Sequence, residues 1–182
     1  FDYTHKKQTG GSGQYAKVIG RIEPSDDGTF VFENKVVGGN IPTEYIGACE
    51  KGFRDCLEQG AFIGHPVQGL KVVLEDGDSH AVDSSDMAFM VASRSAFRES
   101  YNRGQPIALE PLMLVSVEGP GELQGEVLKT LMQRRGIVVG TTETDGFVRI
   151  DAHVPLAEMF GYATVLRSAT QGKAEFTMEF AR

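Results

Sequence analysis

From residue 109 onward the chain alternates strand-like and helix-like stretches in an order that few architectures accept. Met113-Leu114-Val115-Ser116-Val117 is a short apolar run of the kind that packs as a strand. Gly119-Pro120-Gly121 breaks it, and 122–135 reads as a helix stopped by Gly136. Ile137-Val138-Val139 is a second strand, and Thr144-Asp145-Gly146 turns the chain into a third over 147–154. Pro155 then opens a predicted helix that closes near Gly172, and 174–180 supplies the last strand. Two β-α-β halves split by a hairpin, β-α-β-β-α-β, are the pattern of a ferredoxin-like domain.

Gln105-Pro106 separates this pattern from a different one, so the chain is read as two domains, 1–108 and 109–182, of overall α+β class. In the first, strands at 3–8 and 15–22 flank Gln8-Thr9-Gly10-Gly11-Ser12-Gly13-Gln14-Tyr15, a hairpin turn with three glycines in four positions. Such a turn has no core side chains and leaves backbone N–H groups open to a ligand, although a flexible hairpin tip has the same composition. A strand over 30–32 follows, then the break Gly38-Gly39-Asn40 and a helix predicted over 43–59, stopped by Gly60. Ile46, Cys49, Phe53, Cys56 and Leu57 fall on one stripe of that helix, with Glu44, Lys51, Asp55 and Glu58 turned outward. A strand at 67–74 leads into acidic, Gly-containing sequence, and a helix over 85–102 begins among Asp83, Ser84 and Ser85, all able to cap it.

The candidate chemistry gathers in that acidic loop. His80 sits among Asp76, Asp78, Ser79 and Asp83, where it is either an incidental solvated histidine or an exposed functional one. No calcium loop fits, because the terminal bidentate Glu is missing, and His5, His65, His80 and His153 lack metal-ligand spacing. Cys49 and Cys56, about 10 Å apart along a helix, are too far for an intrahelical disulfide and read as buried thiols of a reducing compartment. Net charge is −7, and both domains are acidic, with 11 Lys and Arg against 15 Asp and Glu in the first and 7 against 10 in the second. An RNA partner must therefore be met through a local, geometric contact, and His5-Lys6-Lys7 is the best basic cluster for it. Gly146-Phe147-Val148-Arg149-Ile150 offers a single aromatic, short of what an RNA-recognition sheet stacks on. There is no Gly-Lys-Ser/Thr after a strand, hence no phosphate-cradling loop for a nucleotide. No apolar run approaches the ~20 residues of a membrane span, and a chain starting at Phe1 without a leader reads as a cytoplasmic fragment of a longer protein.

Five stretches carry a family resemblance: residues 8–15, Gly38-Gly39-Asn40-Ile41-Pro42, residues 76–88, Leu109-Glu110-Pro111-Leu112-Met113, and a final set. That set joins Glu158-Met159-Phe160-Gly161-Tyr162-Ala163-Thr164 with Leu166-Arg167-Ser168, Gly172-Lys173 and Thr177-Met178-Glu179-Phe180. Together they resemble the fourth and fifth domains of translation elongation factor G, the ribosomal translocase, with residues 5–13 looking most like its mitochondrial-type branch (a mitochondrial location if the source is eukaryotic). The resemblance implies an elongated α/β module with a left-handed β-α-β crossover, then a ferredoxin-like domain. It implies a monomeric, ribosome-binding fragment of a translational GTPase that moves tRNA and mRNA. GTP and Mg would belong to an N-terminal domain and not to this part. It also implies RNA contacts by Gln8, Thr9, Gly10, Gly11, Ser12, Gly13, Gln14, Tyr15, Asp78, Ser79, His80 and Asp83 at a tip that enters the decoding centre against the tRNA–mRNA duplex. The fifth domain would meet rRNA and ribosomal proteins at the stalk base. Ser12 stands where many bacterial members carry Arg, so no charged contact is carried over there. A ribosome-protection or ribosome-recycling factor shares the architecture, and a standalone acid–base enzyme using His80 and Asp83 is a third reading.

Overall fold

In the computed structural model, which describes residues 1–8, 10–11 and 13–181, the N-terminal Gly-rich turn joins two antiparallel strands. These are β1 (Asp2–Lys7) and β2 (Gln14–Pro24), in register from Asp2 opposite Ile19 to Lys7 opposite Gln14. β3 (Val31–Asn34) pairs in parallel with β4 (Leu70–Asp78), and the connection between them carries helix α1 (Thr43–Asp55). β4 lies antiparallel to β2, giving a four-stranded sheet in the order β1-β2-β4-β3. Helix α2 (Asp86–Tyr101) follows β4. Alternation along the strands turns Ala16, Val18, Val72 and Leu74 inward onto Phe53 of α1 and Phe89 and Phe97 of α2, and all are buried. Each large apolar side chain so buried contributes about 1.5–3 kcal/mol. The other sheet face is a charge lattice, in which Arg21 meets Glu23 and Glu75, Lys71 meets Glu23 and Glu33, and Lys35 meets Glu33. The lysine and arginine partners hold both Glu23 and Glu33 below the usual carboxylate range. These cations already have carboxylate partners, so that face offers little free positive charge.

The main departures from the predicted boundaries in this unit fall at α1 and β4. α1 ends at Asp55 and not near Gln59. The Cys56 and Leu57 N–H groups turn back to Phe53 O and Arg54 O in a tighter final turn, and Leu57 O accepts from Val67, which diverts the chain. β4 begins at Leu70 and continues through Glu75–Asp78, which the polarity assigned to a loop. Asp76, Gly77 and Asp78 pair opposite Ile19, Val18 and Lys17, and a strand end can hold polar residues when a neighbour supplies its ladder. Ser85 caps α2 as expected, its side chain accepting from the Ala88 N–H at 3.2 Å.

The second unit spans Leu109–Arg182, the first Phe1–Ala108. Its elements run β5 (Leu112–Pro120), α3 (Gln124–Met132), β6 (Ile137–Thr144), β7 (Phe147–Pro155), α4 (Tyr162–Thr170) and β8 (Glu175–Phe180). The sheet order is β6-β7-β5-β8, every pairing antiparallel, as a split β-α-β-β-α-β chain requires. Val115, Val117, Ile150 and Val154 of the sheet pack with Leu131 of α3 and Tyr162 and Leu166 of α4. Here too the last helix starts later than predicted. Pro155 closes β7, a 3-10 turn follows over Leu156–Glu158, and Gly161 at φ 74° sits at the N-cap of α4. A proline is compatible with the end of a strand, and the left-handed backbone at 161 favours glycine. Just past α3 it is Arg135, not the predicted stop Gly136, that takes the left-handed position, at φ 57°. Among the described residues no helix is long and apolar enough to cross a membrane.

Candidate nucleic-acid interface

Because Lys17 of β2 stands opposite Asp78 of β4, the β1–β2 turn and the β4–α2 loop emerge side by side. Tyr15 and Ser84 lace them together. The Tyr15 N–H donates to Asp83 O at 2.9 Å, and the Ser84 hydroxyl donates to Tyr15 O at 2.7 Å. The Tyr15 phenol donates to Asp78 Oδ2 at 2.8 Å, which raises the phenol pKa above its ordinary value. Gly13 packs so closely that a Cβ there would stand 2.8 Å from Asp83 Cγ, so this turn position accepts only glycine without a shift.

His80 lies on the outer side of this seam, its side chain 57% exposed. Its Nδ1 accepts from the Val82 and Asp83 N–H groups at 3.3 and 3.2 Å, while its ring and that of Tyr15 meet in a T-shaped arrangement with centroids 6.4 Å apart. Gln14 is held from the other strand, with His5 Nε2 donating to its Oε1 at 2.8 Å. The Gly38–Asn40 break reaches the same end of the sheet, where Asn40 donates to Asp76 Oδ1 at 2.8 Å and lowers that carboxyl's pKa.

Of the residues nominated from the sequence, Gly13, Tyr15, Asp78, His80 and Asp83 thus form one cluster. Gln14 flanks it on β2, and Ser79 only places its N–H on its neighbour Asp78's carboxylate. Gln8, Gly10 and Gly11 are exposed in the turn, and Thr9 and Ser12 lie outside the described residues. Sequence reasoning missed Ser84 as a link between the two loops, together with Asn40 and Tyr45, whose phenol reaches Ser84 O at 3.4 Å, and it read His5 only as part of a basic cluster, not as the partner of Gln14. Ser84 did stand out among the capping candidates, but nothing in the sequence pairs it with a residue 69 positions away. Among the described residues no three His, Cys, Asp or Glu side chains converge as a metal site. His80 and Asp83 approach only at 3.5 Å, through a ring nitrogen already engaged by two backbone donors.

The basic charge nearest the turn is Lys6 and Lys7 on the edge strand β1, and neither has an ion pair among the described residues, unlike Lys17, which meets Asp2 at 3.3 Å. In the second unit Arg134 donates to the carbonyls of Glu158 and Phe160. Its guanidinium lies 5.3 Å from the Tyr162 ring centroid. Arg135 binds Glu110 through both terminal nitrogens and Glu158 through Nε. These bonds set the turn over residues 158–160 and leave the Phe160 side chain 78% exposed.

Residues 1–105 match the family model described as elongation factor G, domain IV, and residues 107–182 match that of the elongation factor G C-terminus. Elongation factor G 1 of Syntrophus aciditrophicus is 60% identical over 181 residues, covering 100% of this chain and 26% of that protein. Elongation factor G 1 of Treponema pallidum is 56% identical over 182 residues, with the same two coverages of 100% and 26%. A crystal structure from Thermus thermophilus superposes with a TM-score of 0.89 at 38% identity, covering 100% of this chain and 27% of that one. The chain spans about a quarter of the length of the curated relatives it matches. Both halves of the sequence therefore lead to one place, and the chain belongs to the elongation factor G family, of which it carries domain IV and the C-terminal region.

Proposed function

We propose that this chain is the ribosome-engaging part of a cytoplasmic translational GTPase that promotes movement of tRNA and mRNA. The observation that carries the proposal is the seam between the two loops, in which Tyr15 and Ser84 fuse a Gly-rich turn and the His80 loop into one tip. A tip of this kind acts sterically and through hydrogen bonds. The turn has little side-chain bulk, so an RNA backbone can approach closely, and the exposed imidazole of His80 and the half-buried carboxamide of Gln14 supply directional contacts. An acidic protein can do this because the contact is local. The charge lattice neutralises the sheet face, and Lys6 and Lys7 remain for phosphate beside the turn. The tip would enter the decoding centre against the tRNA–mRNA duplex, with residues 8–15, Asp78, Ser79, His80 and Asp83 at the contact. The second unit would meet rRNA and ribosomal protein at the stalk base.

GTP and Mg, which the family implies, do not fit this chain. Its glycine-rich run joins two antiparallel strands instead of opening a helix, and it lacks the lysine of a phosphate loop. The test is single-round tRNA–mRNA movement on ribosomes by the full-length factor carrying His80→Ala or Gln14→Ala. Slowed movement supports the proposal. Normal movement with impaired release of a ribosome-bound drug would assign the same tip to ribosome protection instead.

A further inference from the structure

The nitrogen of His80 that faces into its loop determines what the outward nitrogen can do. Two backbone N–H groups, those of Val82 and Asp83, point at Nδ1 from 3.3 and 3.2 Å. A neutral imidazole nitrogen that accepts hydrogen bonds carries its lone pair there, so the ring proton sits on Nε2. The Asp83 carboxylate favours the opposite tautomer, since its Oδ2 lies 3.5 Å from the same nitrogen. An Nδ1–H would make that one longer contact and deprive two backbone donors of their acceptor. The two shorter contacts prevail.

The turn that aims those N–H groups is closed by Ser84. Its Oγ accepts from the His80 N–H at 2.9 Å and donates to Tyr15 O at 2.7 Å. Its own N–H returns to His80 O at 3.1 Å, and the Asp83 carbonyl is held by the Tyr15 N–H at 2.9 Å. One hydroxyl therefore closes residues 80–84 upon themselves and fastens them to β2.

We propose that Ser84 is a positioning residue that holds His80 as the Nε2–H tautomer, so that the tip presents a hydrogen-bond donor and recognises an acceptor atom of RNA. The recognition half rests on the tip being an RNA contact; the tautomer does not. Long-range proton–nitrogen correlation spectra of the 15N-labelled chain, recorded at a pH of about 8.5 where an ordinary imidazole is neutral, read the tautomer directly. The expected result is Nε2–H for His80 in the unmodified chain, a mixture of tautomers in Ser84→Ala, and retention of Nε2–H in Ser84→Thr, which keeps the hydroxyl. In the full-length factor Ser84→Ala should slow tRNA–mRNA movement and Ser84→Thr should restore it. An Nδ1–H ring in the unmodified chain overturns the inference whatever the ribosome assay shows, and it needs no variant to fold. A folded Ser84→Ala chain with an unchanged tautomer removes Ser84 from the positioning role. The expected tautomers with normal movement in both Ser84→Ala and His80→Ala overturn the RNA contact, and the recognition half with it.

Discussion

The buried pair Thr130–Tyr162 in the second unit permits a sharp energetic test. Tyr162 is 0% exposed and Thr130 5%. Thr130 gives its only hydroxyl hydrogen to Val127 O at 2.7 Å, so across the 3.0 Å contact with the Tyr162 phenol oxygen it is the phenol that donates. Burial pushes the Tyr162 pKa upward, which keeps that donor protonated. The two halves of the pair are therefore unequal. Tyr162→Phe removes the donor and leaves Thr130 its bond to Val127, costing about 0.5–1.5 kcal/mol. Thr130→Val keeps the β-branched shape but leaves the phenol hydroxyl buried without a partner, costing about 1–3 kcal/mol. Replacing both makes the contact apolar on each side, so the double variant should be more stable than Thr130→Val alone. For a domain of this size about 1 kcal/mol corresponds to ~4–8 °C in Tm. The assay is thermal and urea unfolding of the whole chain, with amide hydrogen exchange in β5 and β7 reporting the second unit. Equal costs for the two single variants, adding fully in the double, would refute the assignment of donor and acceptor.

His80→Ala should change the melting temperature by the equivalent of about 0.5 kcal/mol or less, because water replaces Nδ1 at an exposed turn. Movement by the full-length factor should slow roughly ten- to hundredfold if a bond of about 1.5–3 kcal/mol acts fully in the transition state, and a large melting shift would make the residue structural. Gly13→Ala should cost about 1 kcal/mol by forcing the Asp83 side chain off its rotamer, and should cost less when Asp83→Ala is already present; an unchanged cost in that background would point to another cause. Burial pushes the Cys49 thiol up to about 12. Its contribution is thus fully present below the unfolded value of about 8.5 and is lost as pH rises from there toward 12. A thiol reagent should label Cys49 only on unfolding, and rapid labelling of the native chain would contradict its burial.

Whatever depends on neighbours along the chain was legible without coordinates. The stripe of Ile46, Cys49 and Phe53, continued by Cys56 and Leu57 just past its end, predicted which side of α1 faces the core, since a helix buries positions three and four apart. The serine-rich start of α2 announced its cap, and the β-α-β-β-α-β order of the second half left little choice of fold, because a split pattern closes into one antiparallel sheet. What a segment does when its partner is remote required the tertiary structure. Glu75–Asp78 reads as loop by composition and is strand because β2 offers a ladder. Pro155 could open a helix or close a strand, and pairing with Leu112 chose the strand. The candidate tip shows the same division. His80 and the Gly-rich turn stand out as exposed, short-chained stretches, but their adjacency depends on the register that sets Lys17 against Asp78. The seam itself, a Ser84 hydroxyl on a carbonyl 69 residues distant and a Gly13 backbone against the Asp83 carboxylate, is invisible to periodicity and composition. Local sequence sets the preferences of each element; which donors find which acceptors across the fold is settled only when the strands are in register.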